Sequence, residues 1–97
     1  MDDGAGTGGA ATETRISDLD LAAFLVCEGA RLVRIAPTPD PIRRDFVLVA
    51  RDETIERGVR LFVSGRATVE PRHFAQARRA LQRALRAGPR DPASDQR

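Results

Sequence analysis

Apolar residues are spread unevenly along this chain, and their spacing changes several times. From Leu21 to Cys27 every residue is apolar, which suits a helix packed on several sides rather than one lying on a surface. Just upstream, Ser17 is placed as an N-cap, with Asp20 in the capping-box position and Asp18 in the first turn, where the helix dipole favours an anion. Ile16 and Leu21 occupy the hydrophobic-staple positions, and Gly29 is the natural stop. The pattern predicts a buried central helix over residues 18–28. Residues 31–36, RLVRIA, read as a short strand. The prolines at 37, 39 and 41 force a turn, and residues 43–50 read as a second strand. There Phe46, Leu48 and Ala50 alternate with Val47 and Val49, so both faces are covered over its second half. Together the two strands predict an antiparallel hairpin.

Beyond the hairpin the period returns to that of a helix. Ile55, Val59, Phe62 and Val63 follow the spacing of one helical face, predicting a second helix over 53–64 capped by Asp52 and ended by Gly65. Gly58 in its interior costs ~1 kcal/mol against Ala, which points to close helix approach or to simple tolerance. Residues 67–70 read as an extended connector or a third strand. Pro71 fits the first position of a last helix, running to Ala87 before Gly88-Pro89, with Phe74, Ala77, Leu81, Ala84 and Leu85 on one stripe. The order is α-β-β-α-(β)-α. A lone hairpin is marginal in water, so the helices must pack on it, giving an α+β fold of two layers.

Composition bounds this picture. The chain has 97 residues, enough for one core. Its first fourteen residues include four Gly and, apart from Met1, no large apolar side chain; they cannot offset the ordering entropy of ~1–2 kcal/mol per residue. Residues 1–15 and 88–97 are therefore expected as disordered tails around one domain at 16–87. So small a domain has little room for a buried catalytic pocket. One cysteine, Cys27, permits neither an intrachain disulfide nor a multi-cysteine metal site. The N-terminus lacks the basic and apolar regions of a secretory signal, and the seven-residue apolar run is far short of the ~20 residues that span a membrane. A cytoplasmic location, no membrane partner and no cofactor are the expectations.

Charge changes the picture locally. All sixteen basic residues are Arg, which fits a GC-rich coding bias better than a choice for phosphate forks. Net charge is +2 overall, but residues 71–97 carry seven Arg against two Asp. At ~100° per residue, Arg72, Arg79, Arg83 and Arg86 fall on one face of the last helix, opposite Phe74, Leu81 and Leu85, with Arg78 on the flank and Arg90 just past the end. Such a stripe can track phosphates. It can equally be the solvated face of an amphipathic helix, or meet an acidic protein. Arg43 and Arg44 form a second, smaller basic site. With neither Trp nor Tyr and the four Phe at core-type positions, base stacking has little to work with.

The remaining chemistry-bearing residues favour structural roles. His73 has no nucleophile or orienting partner beside it in sequence, as a general base requires. Cys27 lies inside the most apolar helix, where a thiol behaves as a small hydrophobe. Asp18 and Asp20 are explained by capping, and with Glu28 supply too few oxygens for a metal. The N-terminal GAGTGG lacks the following Lys and the preceding strand of a phosphate loop.

The run SDLDLAAFL over 17–25, followed by Glu28-Gly29, resembles the opening of a small uncharacterised domain family of bacteria and phages. There a helix of this type leads to a glycine, a strand, and a second strand rich in Phe and Val. An aromatic-containing helix ending in glycine, here Phe62 and Gly65, continues the resemblance. So does a final segment of the form A-x-V-D-P-x-x-F-x-x-A-x-x-x-L, matched by Ala67, Val69, Pro71, Phe74, Ala77 and Leu81. Glu70 stands where the pattern has an aspartate cap, and Glu is the poorer cap. The resemblance implies an α+β fold over about residues 16–87, no established activity, and a setting among phages and mobile elements. The expected function is that of a small non-enzymatic domain, either an accessory nucleic-acid binder using the Arg-rich last helix or a protein-interaction adaptor. Oligomeric state is left open.

Overall fold

The computed structural model describes residues 11–87. Its order is β1 (Ala11–Ile16), α1 (Leu19–Cys27), β2 (Arg31–Pro37), β3 (Arg44–Arg51), α2 (Asp52–Val63) and α3 (Pro71–Ala87). The three strands form one sheet in the order β1-β3-β2, with β3 antiparallel to both neighbours. This is the α+β architecture expected, with the hairpin of β2 and β3 in place. Two expectations are corrected. The third strand does not come from residues 67–70, which have no regular structure. It comes from β1, so residues 11–15 belong to the fold and not to a tail. The other expected tail residues, 1–10 and 88–97, lie outside the described residues.

The faces of the sheet follow from its register. Ile16 pairs with Phe46, and Ile35 and Leu32 pair with Phe46 and Leu48; these side chains form one core with Ala22, Ala23 and Leu25 of α1 and Ala77 and Leu81 of α3. An extra residue in β2, Val33, shifts the register between Leu32 and Arg34. That bulge lets Leu32 and Ile35 point the same way although three positions apart.

The opposite face of the sheet is built from charge. Val47 is only 1% exposed, and its partners in register are Arg15 on one side and Arg34 on the other. Arg34 reaches over the central strand to Glu13 (Nη1–Oε1 3.1 Å). From the other edge, Arg15 pairs with Asp45 (Nε–Oδ2 3.2 Å) and donates to the Pro37 carbonyl at 2.8 Å. The two apolar stems roof Val47 while their heads stay in water.

Helix α1 is the hub, in contact with α2, α3, β1 and β3. Its cap lies one residue later than the sequence suggests: Asp18 Oδ1 accepts from the Leu21 amide at 3.0 Å. Ile16 accordingly ends β1 and takes no part in a staple. Both Gly29 (φ 116°) and Gly65 (φ 79°) have left-handed backbone. In the Schellman motifs they close, the Ala30 amide donates to the Leu25 carbonyl at 2.9 Å and the Arg66 amide to the Leu61 carbonyl at 2.9 Å.

At the start of α2 the expected Asp52 cap is absent. Arg51 holds the cap position without a side-chain bond, and Asp52 Oδ1 instead accepts from Thr12 Oγ1 of β1 at 2.7 Å. Gly58 resolves the choice between close approach and tolerance. A Cβ there would run into Leu25 Cδ2, so α2 crosses α1 at that point, and Phe62 stacks obliquely against Phe24 at 6.3 Å between ring centroids. The rest of the expected buried face is incomplete, because Val63 is 76% exposed.

Candidate functional site

Helix α3 starts on a built cap. Glu70 Oε1 accepts from the His73 amide at 3.0 Å, and the Glu70 carbonyl accepts from the Phe74 amide at 3.0 Å. The longer carboxylate therefore does the work of the aspartate that the family pattern leads one to expect. Ala77 and Leu81 are buried and Phe74, Ala84 and Leu85 half-buried, which fixes the rotation of the helix on the core. With that rotation set, Arg72, Arg79, Arg83 and Arg86 are all exposed. From the first to the last they extend over roughly 21 Å at 1.5 Å rise per residue.

The guanidinium groups of the protein divide by what they touch. Arg15, Arg34, Arg51 and Arg78 each have a carboxylate within 4.0 Å. The shortest of these pairs is Arg78 Nε to Asp20 Oδ1, at 2.7 Å, which ties the flank of α3 to the first turn of α1. Among the described residues no carboxylate lies within that distance of Arg72, Arg79, Arg83 or Arg86, and α3 itself contains no acid. Their charge is thus directed at solvent from a rigid rod.

The second basic site does not join this stripe as a unit. Arg44 Nη1 donates to the Pro41 and Arg43 carbonyls at 2.8 and 3.0 Å, closing the proline-rich turn between β2 and β3, while Arg43 is exposed beside it. Arg44 is therefore committed to the turn. Arg90 lies outside the described residues.

Two further side chains border the stripe: at 100° per residue Gln76, exposed, and Gln82, half-buried, fall on its two sides. Sequence reasoning passed over them, although the same helical spacing that collects the arginines places them.

No family model, curated protein or solved structure matches this chain. The functional reading therefore rests on geometry.

That geometry also brings Cys27 and His73 together, unforeseen from sequence. Both line an open groove of about 380 Å³ with Val26, Gln76 and Ala77. Burial, and secondarily the Glu28 carboxylate, push the Cys27 thiol above its ordinary value. This is the opposite of what a thiolate nucleophile needs. His73 is solvent-facing, its Nδ1 4.0 Å from Glu70 Oε1. Among the described residues no three His, Cys, Asp or Glu side chains are grouped to hold a metal, and no helix is long and apolar enough to cross a membrane.

Proposed function

We propose that this protein is a non-enzymatic, cytoplasmic accessory domain that holds nucleic acid by its phosphates, through Arg72, Arg79, Arg83 and Arg86. One observation carries the reading: four guanidinium groups on a single face of α3 with no carboxylate against them among the described residues, while Arg78 on the flank is paired. A face of arginines supplies positioning contacts to phosphate oxygens rather than a code for bases. Binding should accordingly show little sequence preference, with Gln76 and Gln82 adding at most local hydrogen bonds. The same stripe could instead meet an acidic protein, and salt separates the two cases. Each phosphate held contributes a slope of roughly 0.7–0.9 in log K against log salt.

Binding of random-sequence duplex and single-stranded oligonucleotides at low and physiological salt tests this. Replacing Arg79, Arg83 and Arg86 together with Gln should weaken binding and reduce the salt slope by that amount for each phosphate no longer held. No binding by the wild type at low salt rejects the reading. Equal binding by both proteins removes the stripe from it.

A further inference from the structure

The solvent side of α2 carries an apolar stripe that no other element covers. Ile55, Val59 and Val63, spaced four residues apart, line an open trough of about 640 Å³ bordered by Glu56, Arg60 and Ser64. Every lining residue belongs to α2 or its C-terminal cap. Val63 is 76% exposed, an unusual position for a β-branched residue on a helix otherwise bordered by charge. Gly58 and Phe62 are turned towards α1, so Val59 and Val63 form a flank of the helix that its own core leaves open.

We infer that this flank is an isologous interface for a second copy of the chain, the two α2 helices packing antiparallel about a two-fold axis near Val59. The argument is one of self-complementarity, which such an interface requires. Reversing the helix about Val59 places Ile55 opposite Val63 of the copy and Val59 opposite its counterpart. The charges obey the same operation. Glu56 and Arg60 border the stripe on the same side, one turn apart, so reversal sets Glu56 beside the copy's Arg60 and Arg60 beside the copy's Glu56. These two residues are spaced i, i+4, yet among the described residues neither has an ion-pair partner within 4.0 Å. Both charges thus face outwards for a partner of matching pattern. A stripe of one short helix is well below the ~800 Å² per partner of standard stable interfaces, so the dimer is weak and reversible. The inference is independent of any role of α3.

Sedimentation equilibrium of the full chain across a wide concentration range should show the mass rising from 10.6 kDa towards about twice that value. Val63→Glu should weaken association at least tenfold while leaving the circular dichroism spectrum and melt of the monomer unchanged. Charge reversal is the sharper test: Glu56→Arg and Arg60→Glu should each weaken the dimer, and the double reversal should restore it, because only antiparallel pairing of these two positions predicts rescue. A chain that stays monomeric at the highest concentration overturns the inference. So does a dimer indifferent to Val63→Glu, or a double reversal as weak as the single ones.

Discussion

At the scale of single residues, the side chains with the most chemical promise are held for structural ends. Cys27 is the clearest case. Its thiol is raised above the ordinary value by burial and by Glu28, so at pH 8 the native protein should react with a thiol-specific reagent far more slowly than the unfolded chain. The sign for stability follows. Above the unfolded thiol's ionisation range the unfolded state binds fewer protons than the native state, so this group's contribution falls as pH rises through and beyond that range. Melts between pH 8 and 10.5, wild type against Cys27→Ala, check it: the wild type should lose stability faster. Gly58 gives a second prediction. Alanine there gains up to ~1 kcal/mol of helix propensity, but its methyl group meets Leu25, which is fully buried and cannot yield. Overpacking costs ~1–3 kcal/mol, so Gly58→Ala should lower the melting temperature, whereas an open helix position would raise it.

At the scale of elements, what was legible depended on how much apolar signal each carried. Helices α1 and α3 stand out because a continuous apolar run and a long 3.6-residue stripe each outweigh local ambiguity, and the glycines at 29 and 65 mark real Schellman stops. Strand β1 was hidden. Only its last residue, Ile16, is large and apolar, and its inward positions 12 and 14 are threonines. Its place comes instead from pairing with β3 and from the arginine roof over Val47, neither of which has a local signature. The cap of α1 was misplaced by one residue because Ser17 and Asp18 are both good caps, and the extended strand running to Ile16 decides between them. A test follows for β1. Ile16 is 8% exposed, and truncating a buried Ile to Ala costs ~2–5 kcal/mol, a large share of what so small a core supplies. Removing residues 1–16 should therefore abolish the cooperative melt, and Ile16→Ala should lower its midpoint sharply. A cooperative melt retained at the wild-type midpoint after that truncation would mean that β1 is not part of the folding unit.

At the scale of the whole molecule, the arrangement separates two uses of arginine. On the sheet and where α1 meets α3, guanidinium groups are paired and hold the fold; on the outer face of α3 they repel one another. Arg79 and Arg83 are spaced i, i+4 and Arg83 and Arg86 i, i+3, and like charges at such spacing destabilise a helix by a few tenths of a kcal/mol per pair. Salt acts on both uses at once, weakening the exposed pairs Arg15–Asp45, Arg34–Glu13 and Arg78–Asp20 while relieving the repulsion. The net salt dependence of the wild type alone is therefore a difference of small terms. Comparison with the Arg79, Arg83 and Arg86 to Gln variant cancels the paired set. Gln and Arg have similar helix propensity, so the variant should be the more stable protein at low salt by roughly 0.5 kcal/mol, and the gap should close as salt rises. Binding to an oligonucleotide should run the other way, with the wild type ahead at low salt and its advantage shrinking as salt is added. A stripe that serves only as a solvated surface would give the stability gap without the binding gap. Thermal melts and oligonucleotide titrations on the same two proteins, at the same salt concentrations, decide between these outcomes.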